Sequence, residues 1–253
     1  MSVRPTRPAP GARTAAAAVL FLGALAYTAW VLELVIATGL DPVRAYVSEL
    51  AAADQPLGGL FRATDLVAGL LVLLGALLAL AATRRRPWTT AGLAALALFG
   101  AATALDSRLP LSCPPISDPV CAARETAGLV PATHTAHAVS STLAMLGALA
   151  ALILLTVAAR RYGQWPALAR LGPALVLAEL AATAWTMAEI AVLTAGRATW
   201  ALGVGQRLQV LLVAVYLAVL AGCLARPDTR VRPDPPSVPT PRPADPPPGD
   251  RAP

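Results

Sequence analysis

His134, His137 and Ser141 stand three and four residues apart, so a helix would bring them onto one face. Two imidazoles and a hydroxyl so placed can carry protons, ligate a metal or hold a polar ligand. Other reactive side chains are spread along the chain: Glu33, Asp65, Asp106, Glu189 and Arg207. The stretch Asp41–Leu50, DPVRAYVSEL, adds Asp41, Arg44, Ser48 and Glu49, and Asp54 follows it. A second helical sector contains Glu179, Thr183, Thr186 and Glu189.

A zinc site would draw on Asp106, His134 and His137, with Glu33 or Asp65 as a further ligand. The H-x-x-H spacing lacks the glutamate of the H-E-x-x-H helix, which carries its own general base. No metal and no other cofactor is therefore expected. A serine nucleophile would be Ser48, with His134 or His137 as its base only if the loops meet. No G-x-S-x-G elbow surrounds it. Ser48 is instead expected to cap a short interfacial helix, with Glu49 in the first turn, where the dipole favours it.

These groups lie beside long apolar runs, and that setting decides how they are read. The chain is 57% hydrophobic and only 13% charged, too little charge for the surface of a soluble domain of 253 residues. Its apolar runs reach about 20 residues, enough to cross a hydrocarbon core roughly 30 Å thick. They are continuous rather than alternating, so helices satisfy the backbone in lipid where a barrel would not. The fold expected is all-α: a polytopic membrane protein with a six-helix transmembrane bundle. The spans are Thr14–Thr38, Asp65–Ala82, Thr89–Leu105, His137–Ala159, Leu171–Thr194 and Leu208–Leu224. The first run is too long for a signal-peptide core and reads as an uncleaved span. Frequent Ala and Gly let the helices pack closely.

The chain has no lysine, and its arginines mark the orientation. Fourteen of twenty fall in the N-terminus, the second and fourth loops and the C-terminal tail, and six fall on the other side. Both termini are therefore expected in the cytoplasm of a cell membrane protein, with DPVRAYVSEL outside. The basic charge follows this topology and does not imply nucleic acid. Residues 1–13 form a cytoplasmic segment, 14–225 the membrane domain and 226–253 a tail with eleven prolines. Such a tail cannot bury a core and is expected to be disordered, with polyproline character. Protein partners are left open.

With that topology, all six spans send a polar group to the outer half. Glu33 lies in the first, Asp65 opens the second, Asp106 follows the third and His134 and His137 open the fourth. Glu189 is in the fifth and Arg207 opens the sixth. Glu179, nearer the inside, is the exception. Ionisable groups in a bilayer turn toward the bundle or a wet cavity. The polar stripes therefore serve either as interhelical glue or as the lining of a pocket. Arg207 could hold an anionic headgroup or pair with Glu189 or Asp106. Cys113 and Cys121 begin and end CPPISDPVC in an outer loop, where a disulfide persists and would pin that loop over the pocket. Cys223 reads as an apolar filler.

The order of these parts resembles the bacterial membrane family catalogued as domain of unknown function 998. The resemblance rests on Tyr46-Val47-Ser48-Glu49-Leu50 after the first span, Asp106 near the third, and His134 or His137 opening the fourth. It covers roughly residues 15–225 and implies six spans, with no activity assigned. A fainter likeness links YVSEL to the eukaryotic six-span Frag1/DRAM/Sfk1 group, associated with lipid remodelling and asymmetry.

The function expected is an integral membrane protein with an outward-facing polar pocket that binds a membrane lipid or another amphipathic ligand. Glu33, Ser48, Glu49, Asp65, Asp106, His134, His137, Glu189 and Arg207 would line or rim it. One alternative is a metal-dependent intramembrane lipid hydrolase. Another is a proton-coupled transporter relaying through Glu179, Glu189 and the histidines.

Overall fold

A computed structural model describes residues 10–226. It contains seven α-helices: α1 (Pro10–Tyr27), α2 (Gly58–Ala82), α3 (Pro87–Asp106), α4 (Pro119–Thr126), α5 (Ala132–Tyr162), α6 (Pro166–Thr194) and α7 (Leu202–Ala225). Two short 3₁₀ turns, Ala29–Leu34 and Val47–Ala51, precede α2. No strand occurs among the described residues. Six of the helical segments are long and apolar enough to cross a membrane, α4 being the exception. The proline-rich tail anticipated from the sequence lies outside the described residues beyond Arg226.

Local chemistry sets the helix ends. Proline occupies the first turn of α3, α4 and α6, where its missing N–H costs no helical hydrogen bond. Asp118 caps α4 by accepting from the Val120 N–H at 2.9 Å. Gly163 ends α5 at φ 64°, a left-handed conformation that glycine adopts without strain.

The spanning helices pack in the cyclic order α1, α2, α3, α5, α6, α7 and back to α1. The interior is filled by Leu20, Phe99, Leu152, Leu155, Tyr216, Leu217 and Leu220, all essentially buried. Outward-facing positions are apolar too: Leu22, Leu25, Leu70, Leu74, Leu77, Leu146 and Leu177 are exposed. Apolar residues inside and out suit a lipid surround, where the backbone satisfies itself within helices. Small residues set the tightest approach. A Cβ on Gly69 would lie 2.4 Å from the Ala104 N atom, and one on Gly100 would lie 2.4 Å from the Leu73 N atom. The α2–α3 crossing therefore requires glycine on both helices.

The two ends of the bundle differ. At one end Thr83–Arg86 and Gly163–Trp165 make tight, partly arginine-bearing turns. At the other, residues 28–57 and 107–131 form a cap. The two long segments are tied by the Ala53 N–H donating to the Leu111 carbonyl at 2.8 Å. The first is tied to α7 by the Val47 N–H donating to Gln206 Oε1 at 3.0 Å and the Gly203 N–H donating to the Val43 carbonyl at 2.9 Å.

Helix bounds depart from the hydropathy expectation in two ways. The first span does not continue as one α-helix to Thr38. It changes winding at Thr28, whose hydroxyl donates to the Leu25 carbonyl at 2.8 Å, and proceeds as a 3₁₀ turn holding Glu33. Hydropathy carries no signal for that change, which accompanies a tertiary contact of Glu33. α2, α3, α5 and α7 extend past their apolar runs at the capped end, whereas α6 ends there at Thr194 as expected and extends at the opposite end, to Pro166. Asp65 sits about two turns inside α2, and His137 sits within α5 rather than at its opening.

Candidate functional site

Beneath the cap is a cavity of about 150 Å³. Five of the six spanning helices and the Val47–Ala51 turn contribute to its wall, and α6 does not. Tyr27 ends α1 and Trp30 follows it. Phe61 and Asp65 come from α2, Thr103 and Asp106 from α3, Ser141, Ala144 and Met145 from α5, and Gln206, Gln209 and Val210 from α7.

Asp106, the last residue of α3, is heavily bonded. Its carboxylate accepts from Ser140 and from Ser141, the latter at 3.0 and 3.1 Å to its two oxygens. His137 Nδ1 lies 3.1 Å from Asp106 Oδ1 and 3.0 Å from the Leu109 carbonyl. Both of those atoms only accept, so Nδ1 carries a proton. Nε2 lies 3.2 Å from the Ser141 hydroxyl, whose single proton is shared between this nitrogen and the Asp106 carboxylate.

Asp65 differs sharply from Asp106. It lines the same cavity, is half-buried, and makes no hydrogen bond to any described residue. Asp106 is near enough for its charge to act on it. The Tyr27 phenol lies within electrostatic reach of Asp65, Asp106 and Glu179. Thr103 is 7% exposed and its Oγ1 has no partner, and the Trp30 indole N–H is also buried without one.

Other polar groups hold the architecture around this cavity. Arg207 meets Glu33 through two bonds, Nε to Oε1 at 2.5 Å and Nη2 to Oε2 at 2.7 Å. Its Nη1 donates to the Ala45 carbonyl at 2.8 Å and the Gly203 carbonyl at 3.1 Å. Glu49, fully buried, accepts from the Ile116 N–H at 2.6 Å and the Ser117 hydroxyl at 2.7 Å. Burial pushes the Glu49 carboxyl above its ordinary pKa, against the lowering effect of those two donors. Burial, then the nearby Glu125 and Glu49 carboxyls, push the Tyr46 phenol up to about 12. His134 Nδ1 faces the Ser112 N–H at 3.0 Å and hydroxyl at 2.9 Å, and its Nε2 lies 3.6 Å from Glu125. Cys113 and Cys121 form a disulfide with Cα atoms 5.9 Å apart.

The family model described as a protein of unknown function, DUF998, matches residues 15–222. The chain belongs to this family. No curated protein and no solved structure matches it. The DUF998 match runs from α1 into α7, so it takes in every residue of the cavity wall.

In this DUF998 chain, the residues singled out from sequence separate into a wall and a frame. Ser48, Asp65 and Asp106 are on the wall, and His137 stands behind Asp106. Glu33, Glu49, His134, Glu189 and Arg207 lie elsewhere and hold loops or helices. Arg207 pairs with Glu33, not with Glu189 or Asp106. Glu189 Oε2 accepts from the Trp200 N–H at 3.1 Å, while its other oxygen has no partner. Ser48 does not cap the Val47–Ala51 turn. Tyr46 takes that position without a side-chain bond, and Ser48 is inside the turn. The α6 stripe packs on α7: Thr186 donates to Gln209 Oε1 at 2.7 Å, and Gln209 Nε2 donates to Thr183 at 2.9 Å. His134 and His137 engage different partners, and among the described residues no group of three or more His, Cys, Asp or Glu is arranged for a metal.

Sequence reasoning overlooked Tyr27, Trp30, Thr103, Gln206 and Gln209. Gln206 and Gln209 carried a legible signal, since two amides three apart at the head of an apolar span need partners. Thr103 stands one helical turn before Asp106 and carried a weaker signal of the same kind.

Proposed function

We propose that this DUF998 chain is a cell membrane protein whose cavity binds the headgroup of a lipid or another amphipathic molecule. The capped end would face away from the cytoplasm, with both termini inside. The orientation rests on the arginine asymmetry, because loops rich in arginine stay cytoplasmic. The observation that carries the ligand reading is Asp65: a carboxyl without a hydrogen bond, on the wall of a cavity near one end of an apolar bundle. Leaving such a group unpaired is costly, and a polar headgroup would compensate it. The cavity is well below the roughly 300–1,000 Å³ typical of small-molecule pockets, which suits a headgroup whose apolar remainder stays outside.

Native mass spectrometry of the full chain released from mild detergent tests this reading. Wild-type protein is expected to retain lipid, and Asp65→Asn and Asp106→Asn are expected to retain less. Equal retention by all three, with unfolding temperatures unchanged, would remove the reading.

A second reading, proton-coupled transport, draws on one observation. Glu179 is fully buried, with neither carboxyl oxygen hydrogen-bonded. In proteoliposomes with an entrapped pH dye, this reading requires a proton leak or uptake that Glu179→Gln abolishes.

A further inference from the structure

We infer that the cavity selects a positively charged ammonium group, and that Asp65 is its anchor. The inference deepens the headgroup reading above and depends on it.

Charge is the first ground. Asp65 and Asp106 both line the cavity, and no arginine side chain does. The chain has no lysine. Two guanidinium groups on the helices that line the cavity are already engaged. Arg207 is bound to Glu33, and Arg62 donates to the carbonyls of Ala51 and Ala52 at 2.8 and 3.0 Å. The described wall therefore brings no arginine or lysine to a space bounded by two carboxyls, and the one imidazole nearby, His137, is turned to Asp106. An anionic headgroup would meet like charge there, and a cation would find the opposite charge in a medium of low dielectric.

The two carboxyls are not equivalent, and this is the second ground. Asp106 already accepts from serine hydroxyls and faces the His137 N–H. Asp65 accepts nothing from any described residue. A ligand that donates, or that carries positive charge, satisfies the cavity carboxyl that the fold leaves unsatisfied. Thr103 adds an independent sign on the same wall. It is 7% exposed, and its hydroxyl has no partner.

The aromatic wall is the third ground. Tyr27, Trp30 and Phe61 all border the cavity, in a chain that is only 5% aromatic. Aromatic faces attract ammonium groups through the ring quadrupole, including quaternary ones that cannot donate a hydrogen bond. A carboxyl beside such rings can hold primary and quaternary ammonium alike. The shared feature is the cationic nitrogen.

The test uses the full chain in a neutral maltoside detergent, titrated with dodecylamine, dodecyltrimethylammonium or dodecyl sulfate. Binding is read from tryptophan fluorescence, with Trp30→Phe assigning the signal to the cavity, and from native mass spectrometry. Both cationic amphiphiles are expected to bind in preference to the sulfate and to the neutral detergent. Asp65→Asn should weaken them by about tenfold or more, the loss expected for one charge-assisted contact, and Asp65→Glu should restore much of the preference. Thr103→Val provides a second variant with the carboxyls intact. It should weaken dodecylamine more than dodecyltrimethylammonium, since only the amine can donate to the hydroxyl. Tighter amine binding assigns the site to primary ammonium headgroups, and tighter trimethylammonium binding assigns it to quaternary ones. Equal binding of cationic and sulfate amphiphiles overturns the inference. So does a cationic preference that Asp65→Asn leaves untouched, or binding confined to sodium ions. If lipid retention still depends on the cavity in those cases, the headgroup reading survives without the ammonium. If no amphiphile depends on the cavity, both fail.

Discussion

Glu33 and Arg207, 174 residues apart, are joined by two hydrogen bonds with side chains 2% and 9% exposed. The pair fastens the end of the first span to the start of the last, and Arg207 extends the tie to the Ala45 carbonyl in the cap. Removing one member strands the other's charge. Glu33→Ala or Arg207→Ala should each destabilise the protein by about 3–5 kcal/mol, whereas replacing both together should cost less than the sum. Reversible unfolding in a detergent–denaturant mixture measures this, and additive single effects would deny the coupling.

The disulfide between Cys113 and Cys121 closes a short loop within the segment that also contacts Glu49. Reduction should raise the intact mass by about 2 Da, as expected for two thiols. It should also lower stability by about 2–3 kcal/mol, the cross-link effect for a loop of this size. An unchanged mass after full reduction would show that the bridge does not form.

Glu49 gives the cap a pH dependence whose sign can be worked out. Its folded pKa is raised, with burial as the leading cause. A carboxyl that is harder to ionise when folded favours the fold most below its unfolded value, about 4.3. That contribution is lost as pH rises through the shifted value, because the unfolded state then releases its proton more readily. Hydrogen exchange at residues 112–118, corrected for intrinsic rates, should therefore quicken across that window, and Glu49→Gln should flatten the response.

Packing at the α2–α3 crossing admits a matched comparison. Gly69→Ala would set its methyl group against Ala104 backbone at 2.4 Å, so a loss of about 1–3 kcal/mol is expected. Gly222, on α7, has no atom within 4 Å of an added Cβ. Gly222→Ala should be neutral or should stabilise by up to about 1 kcal/mol. Similar melting temperatures for both variants would contradict the crossing geometry.

Orientation can be read with single cysteines on a Cys223→Ala background. Thr83→Cys lies at the arginine-bearing end and Asp54→Cys in the cap. An impermeant maleimide applied to intact cells should label Asp54→Cys alone. Labelling of Thr83→Cys alone would invert the topology.

How far the sequence could be read varied with the physics involved. Six spans were legible because hydropathy over about 20 residues is a lipid-length signal. The disulfide was legible because two cysteines flank a short proline-bearing loop. Partners across long sequence separations were not. Nothing local to Arg207 says that Glu33 rather than Asp106 neutralises it, and nothing local to Glu49 points to Ile116 and Ser117. Spacing and depth were also coarse guides. Helical spacing grouped His134 with His137, yet one faces Ser112 and the other Asp106. Depth grouped Glu189 with Asp65, although α6 does not reach the cavity wall.

The closing of the helix ring between α1 and α7 has a consequence for biogenesis. During insertion the first segment enters the bilayer long before the last leaves the ribosome. Glu33 must wait without its partner until Arg207 arrives to meet it. A chain stalled before α7 would hold Asp65 and Asp106 in an open trough, because Gln206, Gln209 and Val210 close that side of the wall.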